Sequence, residues 1–174
     1  CRVSAKRLFP NFSFLDSSFN KALLVEGDYN TEVGYMGCRT RVLANVCGPQ
    51  VTPGRGNLSF TSINLPRLGI KHGIALGERD KADMKAFYKE LDEIMDLVKG
   101  QLLQRFECQC SKSRANFKFL LGSHVWLNSE KLEQNSKLRT VLKHGTLSIG
   151  FIGLAETLKA LIGEHHGESA KAQK

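Results

Sequence analysis

The stretch from Asp80 to Glu107 places an apolar residue at every third or fourth position, which is the period of an amphipathic helix. The residues that recur at these steps are Met84, Phe87, Leu91, Ile94, Met95, Val98 and Leu102. Asp80 is predicted to cap the helix, and Asp83 suits its positive first turn. A stripe of this kind almost always packs in a core, so we predict one long helix with a buried face and assign it no chemistry.

Short segments of strand-like composition lie before and after this helix. They span residues 22–25, 33–36, 58–65 and 146–151, the last predicted to be buried. Shorter helices are predicted to begin at Pro66 and to span 137–143 and 153–162, with Gly163 ending the last. Because strands alternate with helices, the sequence predicts an α/β fold with parallel pairing.

The composition excludes several classes of protein. Of 174 residues, 41% are hydrophobic and 24% charged, so the chain is neither collagen-like nor broadly disordered. The sequence contains no apolar run long enough to span a membrane and no signal-peptide pattern at residue 1, so we expect a cytoplasmic protein without a membrane partner. The net charge is +8. Because the basic residues are spread along the chain, a solvated surface is favoured over a nucleic-acid site.

Five cysteines, at positions 1, 38, 47, 108 and 110, fit no disulfide framework and form no CxxC zinc motif. Reduced thiols are therefore expected. Cys38 stands between Gly37 and Arg39, after a predicted strand. A thiol in a loop near positive charge favours reactivity, whereas a small buried filler is the usual role of a cysteine. The residues alone leave both interpretations open.

Two other groups of residues are candidate sites. His165 and His166 lie beside Glu164 and Glu168, but adjacent histidines point to different sides of a helix or strand, so we predict no metal site. The glycine-rich segment 145–153 runs into a predicted helix. It suits either a phosphate at the helix N-terminus or close packing of strand against helix.

Both ends of the chain suggest a piece of a longer protein. Position 1 is Cys1 rather than methionine, and the residues from Gly167 to Lys174 read as the first turn of a helix capped by Ser169. We therefore expect unpaired strand edges and self-association into a homo-oligomer.

Several motifs, in order along the chain, resemble the anaerobic (class III) ribonucleotide reductases. They are Met36–Val42, Gly54–Thr61, Ile63–Leu68, His144–Glu156 and His165–Ser169. The resemblance implies that residues 1–174 form a partial catalytic domain, a segment of the ten-stranded α/β barrel of these enzymes. It also implies that the ATP-binding N-terminal domain and the glycyl radical C-terminal domain lie outside this chain.

The resemblance further implies a reaction and its residues. Cys38 would lie on a finger loop and carry a thiyl radical that abstracts the 3′ hydrogen of a ribonucleoside triphosphate, with formate as reductant. Asn57, Ser148 and Glu156 would contact the substrate. The parent enzyme would carry a glycyl radical, a structural zinc and ATP or dNTP effectors, and would need a radical SAM activating enzyme. The chain by itself is expected to be inactive.

Two alternatives stay open on the sequence. Another glycyl radical enzyme, of the acyltransferase or lyase type, would share the barrel, although the pairing of Cys38–Arg41 with Gly54–Asn57 argues against it. A non-catalytic basic domain that binds nucleic acid would explain the charge, and would show affinity for oligonucleotides that falls steeply with salt.

Overall fold

The computed structural model describes residues 2–3, 11–37 and 40–174. Its strands are β1 (Gly34–Met36), β2 (Thr40–Val42), β3 (Asn57–Asn64) and β4 (Thr146–Ile152). Its helices are α1 (Ser18–Lys21), α2 (Leu65–His72), α3 (Met84–Cys110), α4 (Arg139–Leu142) and α5 (Leu154–Ile162). The strands form two small sheets of two strands each. The chain is therefore a mixed α/β protein, as predicted.

The chain divides into two compact units. The first comprises Cys1–Gly56 with Cys110–Thr146, and the second comprises Asn57–Gln109 with Leu147–Lys174. In the first unit, β1 and β2 pair in antiparallel fashion, with Tyr35 opposite Arg41. Its buried apolar residues include Val33, Val42, Leu121, Leu132, Leu138, Val141 and Leu142.

The core of the second unit lies where α2, α3 and α5 meet β3. The side chains buried there are Ile63, Leu65, Leu68, Phe87, Val98, Leu102 and Leu161. Gly69 and Gly73 bring α2 close to α5, since a Cβ on Gly69 would lie 2.8 Å from the carbonyl oxygen of Thr157. The apolar stripe of the long helix is therefore core at Phe87, Leu91, Ile94, Val98 and Leu102, whereas Met84 and Met95 are exposed.

The strands β3 and β4 run in the same direction. The N–H of Thr146, which begins β4, donates to the carbonyl of Gly56 just before β3 at 2.7 Å. Gly150, further along β4, packs against Thr61 and Ser62, further along β3. Both contacts advance together along the two strands, so β3 and β4 are parallel, as predicted. The prediction was wrong for β1 and β2, which are antiparallel because a short turn joins them.

Some local predictions were wrong. Residues 22–25 form no strand, because Gly27 turns the chain at a φ of +86° and leaves Val25 only an isolated bridge to Asp28. Asp83, not Asp80, caps α3, since its Oδ1 accepts from the N–H of Ala86 at 2.9 Å. Strand β4 is not buried.

The C-terminal residues also differ from the prediction. The hydroxyl of Ser169 accepts from the N–H groups of Lys171 and Ala172, yet the chain continues in turns rather than in a helix. Within residues 2–3, 11–37 and 40–174, no helix is both long enough and apolar enough to cross a membrane.

Candidate active site

The hairpin β1–β2 contains the sequence around Cys38. Met36 pairs with Thr40, so Gly37, Cys38 and Arg39 are the residues that join the two strands. Gly37 has a φ of +50°, a backbone conformation that favours glycine. Cys38 and Arg39 themselves lie outside the described residues, so the predicted catalytic thiol has no geometry to report.

Both strands of this hairpin are hydrogen-bonded to the segment 13–20. The hydroxyl of Ser13 donates to the Tyr35 hydroxyl at 2.6 Å. On β2, the guanidinium of Arg41 donates to Asn20 Oδ1 and to the carbonyl of Phe19, each at 2.9 Å. The same guanidinium stacks 3.9 Å from the centre of the Phe19 ring. The residues on each side of Cys38 in sequence are therefore held by one neighbouring segment.

The Gly54–Asn57 motif is hydrogen-bonded to residues at the start of β4. Arg55 donates through Nη1 to the carbonyl of His144 at 2.8 Å and through Nη2 to Thr146 Oγ1 at 3.1 Å. Arg55 Nε is buried and has no hydrogen-bond partner within the described part of the chain. Because both terminal nitrogens are engaged, Arg55 binds protein here, and two motifs that are distant in sequence meet.

His144 also contacts the loop that follows β2. Its Nδ1 lies 3.0 Å from Nδ2 of Asn45, whose residue is only 4% exposed. Burial, reinforced by the charges of Lys143 and Arg55, lowers the pKa of His144. Neither Asn45 nor His144 has a role that the sequence alone predicts. The one signal that could have found His144 is its place at the head of the 144–156 motif.

The three predicted substrate residues lie on or beside the sheet β3–β4. Asn57 begins β3 and is exposed, and Ser148 is half-buried near the start of β4. Glu156 is exposed in the first turn of α5, which follows the other end of β4. The structure therefore brings Asn57 and Ser148 onto paired strands and places Glu156 beyond the opposite end of β4.

The glycine-rich segment before α5 shows close packing. Gly153 has a φ of +75°, and a Cβ there would lie 2.3 Å from Cγ of Pro66. Since Pro66 sits in the first turn of α2, this contact joins the Ile63–Leu68 motif to the 144–156 motif. Helix α5 has no side-chain cap at its N-terminus.

Residues near the C-terminus are linked by short polar contacts. Glu168 lies 2.8 Å from Lys159 Nζ and 3.3 Å from His165 Nε2. The hydrogen bond from Lys159, with a further one from the His165 backbone, lowers the pKa of Glu168. Nδ1 of His165 accepts from the N–H of Gly167 at 2.9 Å. Among the described residues, no three His, Cys, Asp or Glu side chains are grouped as metal ligands.

These observations describe a mixed α/β chain in which the hairpin around Cys38 and the Gly54–Asn57 loop are each held by hydrogen bonds to a segment distant in sequence. The family model for anaerobic ribonucleoside-triphosphate reductase matches residues 1–174, and the chain belongs to that family. The resemblance seen in the sequence is therefore confirmed. The match favours this family over the acyltransferase, lyase and nucleic-acid-binding alternatives.

Curated relatives give the same result. The chain is 30% identical over 169 residues to the anaerobic ribonucleoside-triphosphate reductase of Salmonella typhimurium, covering 94% of this chain and 21% of that protein. The Escherichia coli protein of the same name has the same identity and coverage. The Haemophilus influenzae protein is 29% identical over 168 residues. The chain thus spans about a fifth of the length of these relatives.

Proposed function

We propose that the chain is part of the catalytic domain of an anaerobic ribonucleotide reductase, which converts ribonucleoside triphosphates to deoxyribonucleotides with formate as reductant. The observation that carries the proposal is the family match over residues 1–174, within which the Cys38 hairpin is braced on both strands. The parent's glycyl radical, structural zinc and effector sites are proposed to lie in other parts of the enzyme.

The sheet β3–β4 supports a place in a larger barrel. Parallel strands are normally covered on both faces and continued by neighbours. Here the side chains of Phe60, Phe151 and Ile152 are each 60% exposed or more. A two-stranded parallel sheet with such side chains suits a segment of the ten-stranded barrel, in which further strands would cover them. Self-association of the isolated chain follows from the same exposed surface.

The proposed chemistry assigns the reacting atom to Cys38. As a thiyl radical, its sulfur would take the 3′ hydrogen atom from the ribose, forming an S–H bond and leaving a carbon radical. The 2′ hydroxyl then takes up a proton and leaves as water. Formate gives up two electrons and a proton as it becomes carbon dioxide, so that C2′ gains a hydrogen. The S–H finally returns a hydrogen atom to C3′, which restores the thiyl radical. In the parent, a glycyl radical made by a radical SAM activating enzyme would supply the initial radical.

The remaining site residues are proposed to hold the nucleotide. The exposed amide of Asn57 can donate to and accept from ribose hydroxyls. Ser148 offers a hydroxyl on the paired strand, and Glu156 offers an acceptor in the first turn of α5. The uncapped N–H groups at the start of α5 suit a phosphate group of the substrate.

The test is Cys38→Ser in the intact reductase. Serine is close in size, but its O–H bond is too strong to relay a radical, so dNTP formation should be abolished while nucleotide binding persists. Electron paramagnetic resonance should still detect the glycyl radical. The exposed Cys47 and Cys108 provide matched controls, since Cys47→Ser and Cys108→Ser should retain turnover. A Cys38→Ser enzyme that keeps a tenth of the rate, about 1.4 kcal/mol of barrier, contradicts the assignment.

A further inference from the structure

We propose that His144 and Arg55 are positioning residues for this reduction, because with Asn45 they hold both ends of the connection 43–56, which runs from β2 to Asn57. The inference rests on the proposed function, since it assumes that Cys38, just before β2, and Asn57 take part in the reaction. Neither His144 nor Arg55 is placed in contact with the substrate.

The first link runs from Asn45 to His144. The amide oxygen of Asn45 already accepts from the N–H of Cys47 at 3.0 Å. Its amide nitrogen therefore faces Nδ1 of His144 and must be the donor. Nδ1 can accept only when it carries no proton, so the ring is held as the neutral form with its proton on Nε2.

The backbone of Asn45 is held by the side chain of Gln50. Its N–H donates to Oε1 of Gln50 at 3.2 Å, and its carbonyl accepts from Nε2 of the same side chain at 3.1 Å. Gly48 lies directly over the imidazole, since a Cβ there would come within 2.9 Å of Cε1 of His144. The loop after β2 is therefore shaped around the His144 ring.

The second link runs from His144 to the Gly54–Asn57 motif. Arg55 reaches the carbonyl of His144 and the hydroxyl of Thr146, while Gly56 accepts from the N–H of Thr146. These three hydrogen bonds fix the residues immediately before Asn57. His144 thus binds the start of the connection 43–56 through its ring and the end of it through its backbone. A small displacement of reacting groups is known to cost about a hundredfold in rate.

The arrangement has a built-in response to acid. A protonated His144 would carry a hydrogen at Nδ1, and two donors would then face each other at Asn45. The charged groups that act on this ring are the cations Lys143 and Arg55, and Lys131 lines the same cleft. Lys143 and Arg55 disfavour an imidazolium, so the link is intact near neutral pH and is broken when acid protonates His144.

The test compares His144→Asn with His144→Gln in the intact reductase. Both substitutions introduce an uncharged amide, but only asparagine places an oxygen near the position of Nδ1. We expect His144→Asn to keep kcat within about threefold of the wild type, and His144→Gln to lower it by roughly ten- to hundredfold. The wild-type acid limb of kcat due to His144 should be absent in His144→Asn, because an amide does not titrate.

A second variant guards against misfolding. Arg55→Lys keeps the charge but cannot donate in the two fixed directions of a guanidinium, so kcat should also fall by about tenfold or more. Circular dichroism shows whether each variant is folded. If His144→Gln does not fold, the turnover of Arg55→Lys tests the proposal instead. The proposal is overturned if His144→Gln or a folded Arg55→Lys turns over like the wild type, if His144→Asn is as impaired as His144→Gln, or if the acid limb persists in His144→Asn.

Cys38→Ser, assayed in parallel, separates this proposal from the proposed function. If Cys38→Ser is inactive and the His144 variants behave as the wild type, the positioning role alone fails. If Cys38→Ser retains turnover, the thiyl assignment fails whatever the His144 variants do.

Discussion

Tyr35 and Arg41 face each other across the hairpin β1–β2, and each is bonded to the segment 13–20. They flank Cys38 at equal distance in sequence. The hairpin is therefore held to segment 13–20 through one cross-strand pair. Each residue of that pair is three positions from Cys38 in sequence.

Replacing Arg41 should loosen this hairpin. Arg41→Lys loses the forked contact with Asn20 and Phe19 and part of the stacking on the Phe19 ring, so we expect about 1–2 kcal/mol of lost stability. Turnover of the intact reductase should fall by about tenfold. Chemical denaturation and steady-state assays measure the two effects.

Arg79 offers the matched control for Arg41. It is exposed and donates to the carbonyl of Lys71, so Arg79→Lys should change neither stability nor turnover appreciably. Equal losses of stability and turnover in Arg41→Lys and Arg79→Lys would show that the contacts of Arg41 with segment 13–20 do not stabilise the hairpin.

Gly153 joins α2 to α5, and alanine there should be strongly destabilising. The residue combines a φ of +75° with the close approach to Pro66, so both backbone strain and a steric clash oppose a Cβ. We expect Gly153→Ala to cost about 3 kcal/mol or more in the free energy of unfolding.

Two other glycines separate those contributions. Gly77 has a φ of +70° with no atom near its Cβ position, so Gly77→Ala should cost only about 1 kcal/mol. Gly100 lies inside α3 with open space around it, and Gly100→Ala should stabilise by about 0.5–1 kcal/mol. Thermal unfolding of the three variants should give this order, and a Gly153→Ala protein no less stable than Gly77→Ala would argue against the contact.

Leu161 tests the core of the second unit. It is 2% exposed and belongs to the cluster formed by α2, α3 and α5. Leu161→Ala should therefore lower the free energy of unfolding by about 2–5 kcal/mol. Leu97 on α3 is 72% exposed, and Leu97→Ala should cost less than about 0.5 kcal/mol in the same denaturation experiment.

Glu90 should make stability depend on pH. One carboxylate oxygen lies 2.7 Å from Lys71 Nζ and 2.6 Å from His72 Nε2. The hydrogen bond from Lys71, followed by that from His72, lowers the pKa of Glu90. A lowered pKa in the folded state adds stability above the unfolded pKa, and that stability is lost as the pH falls through the folded value.

Glu90→Gln should accordingly be less stable than the wild type above the ordinary pKa of a glutamate, 4.5, and the difference should shrink as the pH falls below it. Melting temperatures measured across this range test the prediction. Glu93 pairs with Lys89 at 3.9 Å on the surface, so Glu93→Gln serves as a control with little effect. A constant difference between Glu90→Gln and the wild type at all pH values would contradict the ion-pair explanation.

Local sequence patterns determined most of the regular structure. The three- and four-residue period gave α3, Pro66 and Gly163 marked the start of α2 and the end of α5, and the motifs around Cys38 and Asn57 identified the family. Each of these depends on residues close together in the chain, where propensity, capping and motif spacing can be read directly.

Tertiary structure decided the rest. Asp83 rather than Asp80 caps α3 because the chain leaving α2 bonds the N–H of Asp83 to the carbonyl of His72 at 2.8 Å, which fixes where the helix begins. Asn45 and His144 are 99 positions apart, and neither has a neighbour in sequence that reveals the other. Only folding brings the amide to the imidazole, because a hydrogen bond requires contact in space, and sequence patterns of short period cannot specify which distant loops meet.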